Sequence, residues 1–311
     1  MTIAQFKTQA VQALKDFSPT PQLDVDVLLQ HCLKYTKTQL LLNHKNELQT
    51  EQQLWLDKAI SQRTEGIPVA YITGYKEFYG YSFCVSPAVL IPKPDTEILV
   101  ERGIELILEK MEARPNQILT VCDMCTGSGC IALSVIRTLI DVYHIPENQL
   151  PKFTLIDISP FALEIVEKNI SQLKIPRERI RIVRSNLFEQ FAKDGGWTFD
   201  LILTNPPYIP HSMVDELLKD GRNEPRLALD GDISLSGDAA LSENGTPLDD
   251  GLEIIRNLIK QSKAHLSPFG IILMETGEYN AKAAASYAEN HGFKTLIHKD
   301  LEGQLRVVEL S

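Results

Sequence analysis

With 311 residues, 43% hydrophobic and 23% charged, the chain has enough apolar material for one large domain and one small one, each with its own core. No apolar run approaches the roughly 20 residues that span a bilayer, and Met1 to Lys7 shows no basic stretch ahead of an apolar core, so neither a membrane span nor a signal peptide is expected. The formal charge of −10 argues against a duplex-DNA binder and for a small-molecule ligand or a basic protein partner.

The first segment reads as helices. Ile3, Phe6, Ala10, Leu14 and Phe17 fall on one helical face, Leu23 to Leu33 repeats the pattern after the Pro19–Pro21 break, and Thr38 to Leu42 forms a short third element. Thr50-Glu51-Gln52-Gln53 reads as a capping box opening a helix to about Arg63. Residues 1–65 thus predict a small helical bundle with a substrate-docking role. In residues 66–92, Val69–Thr73 and Phe78–Val85 are rich in aromatic and β-branched residues around Gly74 and Gly80, which predicts a hairpin linker. Pro94-Asp95-Thr96-Glu97 then opens a helix to about Met111, and residues 93–311 form the main domain.

Strands and helices alternate from there. Ile118–Cys122, Phe153–Ile156, Ile180–Val183, Phe199–Leu203, Gly270–Met274, Phe293–His298 and Leu305–Leu310 are the expected strands, with helices at Ile131–Leu139, Ser159–Leu173, Leu252–Leu266 and Asn280–Glu289. Seven strands with interleaved helices predict a doubly wound α/β sheet. The short connection between the last two strands excludes a parallel crossover, so they should pair antiparallel. That is the arrangement of the seven-stranded methyltransferases. The polar stretch from Pro210 to Asp250 is long for a structured loop, and Ile233–Leu248 reads as a mobile insertion.

Charge is unevenly spread. Residues 1–85 hold eight Lys/Arg and eight Asp/Glu, which leaves the whole acidic excess in the main domain. The basic cluster Lys174, Arg177, Arg179, Arg181 and Arg184 reads as a solvated helix-to-strand junction. Five irregularly spaced cysteines read as reduced thiols of a cytoplasmic protein. Cys122-x-x-Cys125 and Cys130 lack a fourth ligand at sensible spacing, so no metal site is expected.

Two segments carry chemistry. Asp123-Met124-Cys125-Thr126-Gly127-Ser128-Gly129 lies where the first sheet strand turns into a helix, and its glycines let the backbone approach a ligand closely. Asp157, ending the second strand, is placed to bind a ribose diol. Taken alone, that turn could hold a dinucleotide or a methyl donor. Asn205-Pro206-Pro207-Tyr208 ends the fourth strand beside it and is the more specific signal. An amide nitrogen has its lone pair delocalised, so transfer to it requires both N–H groups to be held while the nitrogen pyramidalises. Asn205 can accept one N–H and the Pro206 carbonyl the other; the prolines fix the turn and add no competing donor. Tyr208 can lie flat against the planar group.

The residues resemble the peptide chain release factor N(5)-glutamine methyltransferases of HemK type. The likeness runs through Leu90-Ile91-Pro92-Lys93-Pro94-Asp95-Thr96-Glu97, Asn205–Tyr208, Glu224-Pro225-Arg226-Leu227-Ala228-Leu229 and Asp300-Leu301-x-Gly303-x-x-Arg306-Val307. Asn-Pro-Pro-Tyr alone is shared with DNA and RNA amino-methyltransferases; the full set is narrower. The resemblance implies methylation of the glutamine in a Gly-Gly-Gln loop of release factors, with S-adenosylmethionine as donor and no direct nucleic-acid partner. It assigns Cys125, Thr126, Gly127, Ser128, Gly129, Asp157, Leu187 and Asn205 to the donor, and Asn205, Pro206, Pro207 and Tyr208 to the glutamine. Cys125, Asn186 and Leu187 depart from residues common in the family.

Overall fold

The computed structural model describes residues 1–191, 197–219, 223–233 and 248–311. Of the Ile233–Leu248 insertion only the two end residues fall within that set. The chain divides into two compact units, one of Met1–Tyr75 with Glu216–Asn223, the other of Lys76–Asp215 with Glu224–Ser311.

The first unit contains α1 (Ile3–Leu14), α2 (Pro21–Leu33), α3 (Lys37–Leu42), α4 (Thr50–Thr64) and α5 (Val69–Thr73). Ile3, Phe6, Ala10 and Leu14 bury the predicted face of α1 against Val25, Leu28, Leu29 and Leu56. Phe17 does not belong to that face: α1 has ended and the ring is 56% exposed. Capping boxes occur at Thr2 and Thr36. At α4 the start is shifted by one residue, since Thr50 is already helical and Gln49 precedes it, its N–H bonded by Gln52 Oε1 at 2.9 Å. Val69–Thr73, expected as a strand, is a short helix after Pro68, closed by Gly74 in the left-handed region at φ 78°. The hairpin instead pairs β1 (Tyr75–Phe78) with β2 (Tyr81–Cys84). Its two-residue turn, Tyr79-Gly80, has both φ values positive (51° and 76°), the geometry whose twist matches paired strands.

In the second unit α6 (Glu97–Ala113) leads into β3 (Thr120–Met124), α7 (Cys130–Asp141), β4 (Lys152–Asp157), α8 (Pro160–Gln172), β5 (Ile180–Arg184) and β6 (Phe199–Thr204). Of α9 (His211–Lys219) the part to Asp215 belongs to this unit, and after it come α10 (Glu253–Ser262), β7 (Leu266–Glu275), α11 (Ala281–Asn290), β8 (Thr295–Lys299) and β9 (Leu305–Leu310). The helix expected to reach Leu266 ends at Ser262, and Leu266 already opens β7.

The sheet order is β5-β4-β3-β6-β7-β9-β8. The first five strands are parallel, and β9 runs antiparallel to both neighbours, as the short last connection requires. The two-residue period divides the core between the faces: Val121, Leu201 and Leu203 join α6 and α7, while Cys122, Met124 and Ile202 join α10 and α11. Because β3, β4, β6 and β7 are parallel and in register (Met124 opposite Ile156 and Thr204, Thr204 opposite Met274), their carboxyl ends meet at one edge.

Candidate active site

That edge brings together the two segments singled out above. After Met124 the chain makes a tight turn with Cys125, Gly127 and Gly129 at φ 58°, 54° and 80°. A Cβ on Gly127 would meet no atom within 4 Å, so its open side faces space. Gly129 differs: a Cβ there would meet Leu133 Cδ1 at 3.1 Å, which lets α7 start close against the sheet. Asp123 is fully buried and organises the turn, accepting from Thr126 Oγ1 (2.8 Å) and Ala132 N (3.2 Å), while its Oδ1 has no hydrogen-bond partner among the described residues. Burial pushes its carboxyl up to about 7. Asp157 Oδ2 accepts from Gly127 N and its Oδ1 from Ser159 N, both at 2.9 Å, tying the turn to the end of β4.

Asn169, on α8 and fully buried, holds the turn from behind. Its Nδ2 donates to Ser128 O (2.9 Å) and Cys84 O (3.1 Å), and its Oδ1 accepts from Cys84 N (2.7 Å). Asn169→Ala strands several buried backbone groups at about 1–3 kcal/mol each. A loss of about 3 kcal/mol in urea unfolding is expected, together with weaker donor binding; an unchanged midpoint contradicts the clamp.

The end of β6 forms the opposite wall. Asn205 Nδ2 donates to Thr96 Oγ1 (3.3 Å), and Thr96 opens α6. Pro206 and Pro207 are buried. Tyr208 Oη donates to Glu275 Oε1 (3.2 Å), and the Tyr208 carbonyl accepts from Asn280 Nδ2 (2.9 Å) and Tyr279 Oη (3.3 Å). Glu224 accepts from Ile91 N (3.1 Å) and pairs with Lys93 (3.4 Å), so the segments 90–97 and 224–229 are fastened to each other.

Between these walls lies a cavity of about 840 Å³. Of the sequence-derived residues, Cys125, Thr126, Gly127, Ser128, Asp157, Leu187, Asn205 and Pro207 line it, whereas Gly129, Pro206 and Tyr208 do not. Thr96 lines it too, although the sequence reading gave it only a helix-opening role. Glu275 and Asn280 were also missed. The available signal for Glu275 was a lone acid ending the apolar run Ile271–Met274. The cavity suits a nucleoside-bearing methyl donor: a backbone turn open at Gly127, a carboxylate at Asp157, and an apolar side at Leu187. Among the described residues no group of histidine, cysteine, aspartate and glutamate could hold a metal ion.

Glu275 is 2% exposed, and burial raises its carboxyl from 4.5 to about 7. The folded state therefore holds this proton more tightly than the unfolded chain between those values. The associated stability is complete below pH 4.5 and lost as pH rises through about 7. Glu275→Gln should flatten the fall in stability across that window, only in part because Asp123 contributes a similar slope. Urea midpoints from pH 4.5 to 8.5 measure it, and an unaltered slope would refute the assignment.

The basic cluster is solvated, as expected, with Lys174, Arg177, Arg181 and Arg184 exposed, and its arginines have local partners. Arg177 binds Ile180 O and Glu167, Arg179 binds Leu150 O, Arg184 binds Ile158 O, and the Arg181 guanidinium lies 3.7 Å above the Trp197 ring.

Comparison with known proteins identifies two family domains, a PrmC N-terminal domain at residues 5–74 and a methyltransferase small domain at 97–236. A release factor glutamine methyltransferase of Rhodopirellula baltica is 36% identical over 95% of this chain and 91% of its own length. One from Koribacter versatilis is 35% identical over 89% and 87%, and one from Clostridium acetobutylicum 33% identical over 92% and 89%.

Proposed function

The chain belongs to the release factor glutamine methyltransferase family, and on that premise we propose that it methylates the side-chain amide nitrogen of the glutamine in a release-factor Gly-Gly-Gln motif, using S-adenosylmethionine. The observation that carries this reading is the shared wall: Asn205, just past the end of β6, and the turn Cys125–Ser128, just past the end of adjacent β3, border one cavity.

The donor supplies an electrophilic methyl group on a positively charged sulfonium. The turn Cys125–Ser128, with Asp157 and Leu187, binds and orients it. Asn205 Oδ1 accepts one N–H of the substrate amide and the Pro206 carbonyl the other, which holds the nitrogen for in-line attack. On transfer the nitrogen would take the methyl as its bond to sulfur breaks, the thioether S-adenosylhomocysteine leaving with the bonding pair, and the amide proton would pass by way of these acceptors to solvent; no strong base is required. Charge vanishes from the sulfonium, so fixed dipoles and alignment supply most of the rate. Tyr208, like Pro206, lies just off the wall of that cavity, and its hydroxyl is tied to Glu275, which supports a role in fixing the turn beside its proposed contact with the substrate amide.

The bundle of residues 1–65 is proposed to dock the release factor, with Leu23, Leu41, Leu42 and Leu54 (60–77% exposed) as contacts. A cytoplasmic site of action without direct nucleic-acid or membrane partners is part of the proposal, and the acidic excess of residues 86–311 supports the absence of a nucleic-acid partner. Among the described residues no helix is long and apolar enough to cross a membrane. Methyl-labelled donor offered to purified release factor, DNA and tRNA in parallel tests the proposal. Label in the release factor alone is expected; label only in nucleic acid would overturn it.

A further inference from the structure

Helix α8 carries its one aromatic residue away from the core. Its inner side is Ala162, Ile165, Val166, Asn169 and Ile170, all buried. The outer side presents Phe161, Glu164 and Lys168, neighbours at helical spacing, to solvent. Glu164 and Lys168 are what such a face calls for. Phe161 is not: it is 64% exposed, and its ring contributes to binding or stability only where something covers it. A lone exposed apolar residue is ordinary on a protein surface, but this one stands at the cavity.

Phe161 lines the cavity together with Asp157, Ile158 and Ser159 just ahead of it, and with Leu187 from the loop after β5. Its backbone is held fast to the donor turn. Ala162 N donates to Ser159 Oγ (3.2 Å), Ser159 N to Asp157 Oδ1 (2.9 Å), and Gly127 N to Asp157 Oδ2 (2.9 Å). Arg184 Nε donates to Ile158 O at 3.3 Å, which fastens the same stretch to the end of β5. The favoured rotamers of a helical phenylalanine send the ring back toward the helix N-terminus. Here that is the Asp157 end of the cavity, since Phe161 sits in the first turn of α8.

We propose that Phe161 is a donor-binding residue whose ring lies against the nucleoside of the methyl donor, beside the carboxylate of Asp157. This rests on the methyl-donor reading of the cavity given above. A purine face against an aromatic ring gains stacking energy, and the ring's apolar surface leaves water as it is covered. Because the backbone is already fixed, only the ring has to be ordered when the donor binds, so little of that gain is lost to ordering.

The test is calorimetry with S-adenosylhomocysteine and, in parallel, with methylthioadenosine, a nucleoside that lacks the amino-acid part. Phe161→Ala should weaken both by the same factor, roughly tenfold on the scale of base–aromatic stacking. Its urea midpoint should match the wild type, because the ring is already exposed. Phe161→Trp should bind S-adenosylhomocysteine about as tightly as the wild type. Its indole emission should change on binding by more than the wild type's, whose tryptophans are Trp55 and Trp197. A wild type that does not bind S-adenosylhomocysteine refutes the underlying donor reading. A wild type that binds it, with Phe161→Ala matching its affinity, refutes only the role of Phe161. So does a loss confined to S-adenosylhomocysteine, which would put the ring at the amino-acid end. A raised KM for the release factor with donor affinity unchanged would make Phe161 a protein contact and refute it too.

Discussion

Asn205→Ala is expected to lower kcat by roughly two orders of magnitude or more, the scale for removing a preorganised polar contact from a reacting centre. The fold should survive, because Asn205 is only half-buried and among the described residues its side chain makes one hydrogen bond, of 3.3 Å, to Thr96. A stability loss of about 1 kcal/mol is the corresponding scale. The substrate amide loses the acceptor for one N–H, so its nitrogen is no longer held in line with the methyl group. Donor affinity, measured separately by calorimetry, should change far less than kcat, since the turn Cys125–Ser128 and Asp157 remain. Near-normal turnover in a folded Asn205→Ala would remove the basis of the mechanism.

The second large effect is expected outside the cavity wall, at Gly251. Its φ is +73°, and a Cβ there would lie 2.1 Å from the Tyr208 carbonyl oxygen, 2.8 Å from the Tyr208 carbonyl carbon and 3.1 Å from Pro210 N. These are backbone atoms, so no rotamer change relieves the clash. Gly231 closes the other side, where a Cβ would meet Gly251 O at 2.3 Å. The turn after Asn205 is therefore held against bare backbone on two levels. Gly251→Ala adds left-handed strain of about 1–2 kcal/mol to overpacking of about 1–3 kcal/mol. We expect a destabilisation of about 2–5 kcal/mol and loss of methyl transfer even in the protein that stays folded, because the Tyr208 carbonyl must move. Gly127→Ala is the control. It has positive φ but open space around the added methyl, so its main cost should fall on donor affinity. Equal stability losses in the two variants would contradict this packing account.

The sheet was legible in the sequence because its central parallel strands are short, mainly apolar runs ending in a turn, as in β3 before Cys125 and β6 before Asn205. The two chemical segments were legible for the same reason: a parallel sheet gathers the carboxyl ends of its strands. Local ambiguity defeated the reading at Val69–Thr73, where five residues, four of them β-branched or aromatic, are too few to show a period and the capping geometry at Pro68 and Gly74 decides for helix. At Gly129 the motif suggested a ligand contact, and no local pattern showed that its missing Cβ also seats Leu133. The supporting layer of the site could not be read at all. Ile91 meets Glu224 across 133 residues, Asn205 meets Thr96 across 109, and Tyr208 meets Glu275 across 67. Such pairs are set by strand order and register, and no local pattern announces them.

The central claim is that the cavity presents one protein glutamine to the methyl donor. Its most direct measurement is methyl transfer from labelled donor to an intact release factor and to the same factor with the Gly-Gly-Gln glutamine replaced, followed by peptide mapping. The account predicts label on that glutamine in the intact factor and background in the variant; equal labelling of both would contradict it.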